Sequence, residues 1–391
     1  MKRIFTLLTA ISICLCFTLS VCGAGQPEGS AAIAVSASVS AESAILIDAD
    51  SGEVFCEKNA DAPMGMASTT KLMTALTALR LGEPDRRISI PAEAVGVEGS
   101  SVYLIEGEVL TLEELLYALL LSSANDAAVA IAVSLSGSIS AFAEEMNAYA
   151  AELGLKSTHF TNPHGLYDEE HYTTARELAV ISAEALRSEL ISEIVSAQKT
   201  TIPHDGVADK RLLVNHNKML KSYDGAIGMK TGFTKKTGRC LVSAARRDGL
   251  TLIAVTLNAP DDWRDHTALL DYGFENYERR IFYTAGAFSY ALPLSDGESE
   301  SVILTNTEPL ALTVRKGASD VEIRVEAPFR FAVGDTKKGD LFGSVTLSVD
   351  GAYCTSVLAF SESSSGKTRP KKGFFERIFT FFSTEDIHGK N

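Results

Sequence analysis

The spacing of apolar residues changes period along this 391-residue chain, and that change restricts the fold more than any single residue does. Leu72, Ala75, Leu76 and Leu79 recur at helical spacing after Lys71, and Leu112, Leu115, Leu116, Leu119 and Leu120 repeat the pattern. Each set marks one core-facing helix stripe. A further helical stretch of Ala, Ile and Val follows Asn125, and residues 177–190 read as one more. Between 226 and 257 the pattern turns into three short β-type runs, 226–231, 239–245 and 250–257, the last two joined by the turn Arg247-Asp248-Gly249. Residues 44–48 and 54–57, around Asp50-Ser51-Gly52, add a hairpin. Helices around an antiparallel sheet, an α+β domain, are therefore expected over 44–278. After Arg280 the helical period disappears, and 302–360 alternates apolar and polar residues between turns such as Lys337-Lys338-Gly339-Asp340. A small all-β domain, a β-sandwich over 279–362, is expected there, in keeping with a length that suits two globular units.

The two ends have a different composition. Met1-Lys2-Arg3 precedes an apolar run over 4–21, which reads as a secretory signal peptide over 1–25 and places the protein outside the cytoplasm. An uncleaved membrane anchor is the competing reading, since the run is just long enough to span a bilayer. Leu19-Ser20-Val21-Cys22 resembles a lipidation site, but Val is larger than the small residue such sites need before the Cys. Residues 26–43, rich in Ala, Ser and Val, suit a flexible lead-in. At the other end, Phe374, Phe375, Ile378, Phe379, Phe381 and Phe382 fall within an arc of roughly 160° on a helix. With Lys367, Arg369, Lys371 and Lys372 before it, this segment of 363–391 reads as a linker and amphipathic helix lying on an anionic membrane surface. Docking on the protein's own body is the alternative.

The formal charge of −14 becomes −16 once Lys2 and Arg3 leave with the leader, which makes nucleic acid a poor partner. Cys56, Cys240 and Cys354 remain in the mature chain, an odd, widely spaced set with no metal-ligand spacing. They read as buried small hydrophobes, and no metal or cofactor is called for.

Three short motifs carry chemistry. Ser68-Thr69-Thr70-Lys71 opens an apolar helix, so that a hydroxyl and an amine three residues apart share a face. A serine hydroxyl needs a neighbouring base, and a lysine serves if burial and nearby positive charge lower its pKa. Spacing alone is weak: Ser196 with Lys199 and Ser364 with Lys367 have it too. Only the first lies at a helix N-terminus, whose free N–H groups can support an oxyanion, followed by a buried stripe. Ser123-Ala124-Asn125 breaks two apolar helical runs, either to aim short polar side chains into a cleft or to cap the next helix. Lys230-Thr231-Gly232 ends a β run, where a cation and hydroxyl can meet a carboxylate and Gly permits close approach. Lys236-Thr237-Gly238 repeats the triplet, but in a polar connection, so Lys230 is the better candidate.

In that order the motifs match the set used by penicillin-binding proteins and class A β-lactamases. The chain resembles the serine-type D-alanyl-D-alanine carboxypeptidases, the low-molecular-mass penicillin-binding proteins. The likeness extends through Lys58-Asn59-Ala60-Asp61, Asn162-Pro163-His164-Gly165-Leu166, Thr173-Thr174-Ala175-Arg176-Glu177 and residues 224–242. It implies a transpeptidase-like catalytic fold and removal of the terminal D-Ala from peptidoglycan stem peptides through an acyl-enzyme that water clears. By position, Ser68 matches the nucleophile, Lys71 the general base, Ser123 a proton-relay hydroxyl and Asn125 a substrate-positioning amide. Lys230, Thr231 and Gly232 match the carboxylate-binding strand, and the backbone N–H groups of Ser68 and Phe233 the oxyanion hole. β-Lactams are the implied inhibitors.

One departure stands out: some relatives carry an Arg between two Asn residues ahead of the Lys-Thr-Gly strand, where this chain has Asn215-His216-Asn217. His216 reads as an ordinary surface or hydrogen-bonded histidine, or as a charge present only at lower pH. His164 reads as a turn histidine with a structural hydrogen bond. A serine β-lactamase needs an efficient deacylation base, a Glu between Asn125 and Lys230 followed by Leu-Asn, and none is present. A silent wall scaffold or penicillin sensor is the rival from another class. Gly-x-Ser-x-Gly, His-Glu-x-x-His and Cys-x-x-Cys are absent, which disfavours α/β-hydrolase esterases and zinc peptidases.

Overall fold

The computed structural model describes residues 30–204, 210–296, 301–328, 331–332, 337–361 and 382–387. Hairpin strands β1 (Ser43–Asp48) and β2 (Val54–Lys58) follow a helix, α1 (Ser30–Ser38). Next come α2 (Lys71–Leu81), a short ribbon of β3 (Arg87–Ser89) and β4 (Val109–Thr111), and helices α3 (Leu112–Leu121), α4 (Asn125–Ser136) and α5 (Ile139–Glu152). Helices α6 (Ala175–Arg187) and α7 (Glu189–Ser196) lead to a second ribbon, β5 (Lys199–Ile202) with β6 (Arg211–Val214), and to the single turn α8 (Met219–Ser222). Strands β7 (Ala226–Thr234), β8 (Gly238–Arg247) and β9 (Leu250–Leu257) and helix α9 (Asp262–Asn276) complete the unit.

The central sheet has the order β2-β1-β9-β8-β7 and is antiparallel throughout. Its middle strand β9 is buried along its whole length, because both faces are covered. Side chains alternate between two cores: Ile253, Val255 and Leu257 join the core under α2 to α7, whereas Leu252 and Ala254 join one under α9 and α1. Helices of 10 to 12 residues such as α3 and α4 are marginal alone. Burial of Leu112, Leu115, Leu116 and Leu119 holds α3, each worth about 2 kcal/mol, and a capping box of Thr111 with Glu114 fixes its start.

The α+β expectation is met, with four differences in detail. The Ala/Ser/Val segment expected as a flexible lead-in over 26–43 forms α1 from Ser30, and Val39 and Ala41 are buried beyond it. The buried Asp265 carboxylate on α9 accepts from the Ser40 and Ala41 amides at 2.8 and 2.9 Å, a long-range clamp with no local sequence signal. The helix expected over 177–190 is two, since Ser188 leaves helical geometry and its hydroxyl accepts from Ile191 N to start α7. Helices α5 and α9 were not foreseen from periodicity. The amphipathic helix expected within 363–391, with Phe382 on its apolar face, does not extend to Phe382 and Ser383: both begin β18 (Phe382–Ile387), antiparallel to a strand of the C-terminal unit. The signal-peptide segment and residues 362–381 lie outside the described residues.

That C-terminal unit is all-β. Strands β10 (Tyr277–Tyr283), β11 (Ser289–Asp296), β12 (Ser301–Asn306), β13 (Leu310–Arg315), β14 (Val321–Pro328), β15 (Phe331–Ala332), β16 (Leu341–Val349) and β17 (Ala352–Phe360) precede β18. Seven form a sheet in the order β15-β11-β12-β17-β16-β14-β18, and β10 pairs with β13 in a second layer. Leu310 and Leu312 of β13 share one core with Leu304, Val345, Leu347 and Leu358 of the larger sheet. The boundary placed at 278/279 falls inside β10, which runs straight on from α9. Phe55 stacks on Tyr277 at 3.8 Å, and Thr313 donates to the buried Asp48 carboxylate at 2.6 Å. Cys56, Cys240 and Cys354 are all buried.

Candidate active site

Ser68 sits in a single 3-10 turn, Ala67–Thr70, that feeds α2. The residue before it, Ala67, holds a left-handed φ of 47°, an uncommon conformation for a residue with a Cβ and one that recurs at functional sites. The turn is pressed between two glycines. Gly232 of β7 lies where an added Cβ would be 3.0 Å from Ser68 N and 3.1 Å from Thr69 N, and Gly165 packs on the carbonyl of Ala67. Strand β7 is an edge strand of the central sheet beside Ser68, the kind of position at which a peptide can add as a further strand. Gly232 is followed by Phe233, which places the Phe233 and Ser68 amides on neighbouring backbone.

Lys71 is fully buried, one helical turn on from Ser68. Its Nζ donates to Ser68 Oγ at 2.9 Å, Asn125 Oδ1 at 2.7 Å and the His164 carbonyl at 2.6 Å. The last two oxygens cannot donate in return, so they fix two N–H bonds. When the amine is neutral, its lone pair is left facing the Ser68 hydroxyl. Neutrality is favoured: burial first, then the Lys230 cation, hold Lys71 well below the ordinary lysine pKa, with Asp126 opposing. This is the geometry of a general base beside a nucleophile.

The break between α3 and α4 supplies the second wall. Ser123 is nearly buried at a left-handed φ of 56°, and its hydroxyl makes no hydrogen bond among the described residues. Ala124 occupies the N-cap of α4 without a side-chain cap, so neither Ser123 nor Asn125 serves the capping role open to them. Asn125 Nδ2 donates to the Glu98 carbonyl at 2.6 Å, and its N–H to Ser100 O at 2.7 Å. Its side-chain amide is thus engaged at both ends and orients Lys71 directly. Asp126 accepts from Ser101 Oγ and from the Val102 and Leu104 amides, pinning residues 98–104 over the start of α4.

The third wall is β7. Lys230 is buried on the strand and shares the Gly232 face, since side chains alternate with period two. Its Nζ donates to Thr231 O at 2.9 Å, and burial pulls its pKa down to about 7. Thr231 stands beside it, partly exposed. Lys236 lies in the exposed β7–β8 connection with its amine over the Tyr167 ring, away from Lys71. Of the two matching Ser-Lys spacings, Ser196 ends α7 bonded to Glu193 O and Lys199 opens β5, while 364–367 lies outside the described residues.

Two histidines take different parts. The His164 ring accepts from Leu166 N at 3.1 Å, the structural bond expected, but its carbonyl enters the site as a Lys71 acceptor. A backbone oxygen has no residue-type signature, and only Gly165 in Asn-Pro-His-Gly hinted at the tight packing. His216 is solvent-accessible, and the protein around its ring and Lys230 keep its pKa below the ordinary value. Its flanking Asn215 and Asn217 are bonded to Val195 O, Ala197 O and Met219 N, which makes them loop supports.

Residues 30–261 match the family description D-alanyl-D-alanine carboxypeptidase. The chain belongs to that family. It is 32% identical over 344 residues to the D-alanyl-D-alanine carboxypeptidase DacF of Bacillus subtilis, covering 85% of this chain and 87% of that one. It is 31% identical over 331 residues to DacA of Escherichia coli, covering 80% of each. Penicillin binding protein 5 from Haemophilus influenzae superposes with a TM-score of 0.68 at 28% identity, over 87% of this chain and 99% of that chain. The family's serine peptidase assignment agrees with a serine held beside a buried amine.

Proposed function

We propose that this D-Ala-D-Ala carboxypeptidase removes the terminal D-Ala of peptidoglycan stem peptides through an ester on Ser68. The observation that carries this reading is Lys71, buried, bonded to Ser68 and fixed by two carbonyl oxygens. A peptide laid antiparallel on the edge of β7 puts its C-terminal carboxylate toward Lys230 and Thr231 and its upstream residues toward Thr234. Ser68 Oγ attacks the penultimate carbonyl as its proton passes to Lys71. The oxyanion takes the Ser68 and Phe233 amides, and the proton reaches the leaving D-Ala nitrogen through Lys71 and Ser123. Water then attacks the ester, its proton returning through the same groups, and Ser68 is freed. Asn125 holds the base, and Gly232 lets the nucleophile turn pack directly on β7. At neutral pH the carboxylate relies on Lys230, because His216 is held neutral. β-Lactams, as acylating mimics of D-Ala-D-Ala, inhibit by occupying Ser68.

Export through the leader over 1–25 and attachment to the outer face of the cytoplasmic membrane through Phe374, Phe375, Ile378, Phe379 and Phe381 complete the proposal. Since β18 lies just beyond that segment, Phe374→Glu with Phe379→Glu tests attachment without removing a strand. Unchanged membrane association sinks it. The catalytic reading is tested by D-Ala release from a synthetic D-Ala-D-Ala peptide alongside fluorescent penicillin labelling. Both are expected, and both vanish in Ser68→Ala; labelling without release favours a sensor.

A further inference from the structure

Thr70 closes the nucleophile turn and His171 lies behind it; neither side chain hydrogen-bonds Ser68 Oγ or Lys71 Nζ among the described residues, and neither has a part in the proton path above. Both are buried, at 4% and 1% exposure. The backbone N–H of Thr161 points at His171 Nδ1 from 3.1 Å, so that nitrogen accepts and the ring proton sits on Nε2. Nε2 is 2.8 Å from Thr70 Oγ1 and donates to it. The Thr70 hydroxyl therefore has its own proton free, and it donates to the Ala67 carbonyl at 2.7 Å.

That carbonyl belongs to the planar peptide unit whose other end is the Ser68 N–H. Holding the Ala67 oxygen fixes the direction in which the Ser68 N–H points. Drawing electron density toward the oxygen also strengthens that N–H as a donor, and a chain of bonds reinforces each member. The neighbouring turn carbonyl, Met66 O, is held in the same way by Thr69 Oγ1 at 2.6 Å. The backbone of Gly165 covers the Ala67 oxygen so closely that an added Cβ would lie 1.9 Å from it. Ala67 itself pays a left-handed φ for this orientation.

We propose that His171 and Thr70 form a hydrogen-bond relay, Thr161 N–H to His171 to Thr70 to Ala67 C=O, that orients and polarises the oxyanion-donating amide of Ser68. They are positioning residues for acylation and rest on the reading of Ser68 N–H as an oxyanion donor. The test uses the full chain with Thr70→Val, Thr70→Ser, His171→Phe and the Thr70→Val/His171→Phe double variant. The readouts are the first-order acylation constant with a penicillin, the non-covalent dissociation constant, and the infrared stretch of the acyl-enzyme ester carbonyl. Thr70→Val is expected to slow acylation about 10-fold, less than complete loss of an oxyanion donor. It should move the ester stretch to higher frequency and leave the dissociation constant within about twofold. Thr70→Ser restores both, and the double variant is no slower than Thr70→Val. An unshifted stretch in Thr70→Val, a Thr70→Ser variant as slow as Thr70→Val, or strictly additive losses would each overturn the relay. If His171→Phe fails to fold, the two Thr70 variants decide alone. Absence of any acyl-enzyme in the wild type would overturn the functional reading, whereas an acyl-enzyme with an insensitive stretch overturns only the relay.

Discussion

Two identical tripeptides, Lys230-Thr231-Gly232 and Lys236-Thr237-Gly238, stand six residues apart and have opposite fates. The first lies within β7 with its lysine buried and its glycine against the Ser68 turn. The second makes the β7–β8 turn. There Thr237 bonds the Thr234 hydroxyl at 2.9 Å, Gly238 takes a φ of 68° against Asn258, and Lys236 rests on Tyr167 in solvent. The residue types are the same. What differs is whether the backbone runs along a sheet edge beside Ser68 or turns back on itself.

The comparison breaks most visibly at the lysines. Lys230→Ala is expected to lower kcat/KM for a D-Ala-D-Ala peptide about 100-fold or more, because the substrate carboxylate loses its cation. Lys236→Ala should leave it within about twofold. Equal losses would show that the turn triplet also meets substrate. At the glycines the same contrast takes another form. Gly232→Ala places a Cβ 3.0 Å from Ser68 N and should slow acylation roughly 10-fold with little change in melting temperature. Gly238→Ala meets Asn258 Oδ1 at 2.1 Å with a positive φ and should cost about 1–2 kcal/mol of stability, read by denaturant unfolding, with kinetics intact.

A pH series sharpens the difference further. With Lys230 at about 7, the free enzyme loses that cation as pH rises through 7, and carboxylate binding then requires proton uptake. KM should climb by up to about 10-fold per pH unit above that point. In Lys230→Arg, where charge persists, the climb should vanish; a wild-type KM flat to about pH 9 would refute the buried-lysine reading. The smallest effect belongs to Thr237→Val. It removes a turn hydroxyl bonded to Thr234, for about 1 kcal/mol of stability by thermal unfolding and no change in activity.

Features set by neighbours in sequence were legible before the fold was known. The Ser68–Lys71 pair stands out by lying at the start of a buried helical stripe, the Ser123-x-Asn125 break by interrupting two apolar runs, and Lys230 over Lys236 by the apolar run leading into β7. Features set across the chain were not. The His164 carbonyl reaches Lys71 from 93 residues away as a backbone atom. The Asp265 clamp that orders the segment after α1 spans 225 residues. His171 meets Thr70 across 101 residues, and only its side-chain chemistry marks it. The α+β class and the all-β unit could be read from periodicity, but α9, with its weakly patterned DWRDHTALL start, needed the sheet it covers.

The proposed acylation of Ser68 requires Lys71 to be a neutral base at the pH of catalysis. The direct measurement is the first-order acylation constant at saturating penicillin as a function of pH, which isolates the chemical step from carboxylate binding. Burial and the Lys230 charge predict a half-maximum well below the ordinary lysine value of 10.5, followed by a plateau. A rate that keeps climbing to the ordinary lysine pKa would contradict it.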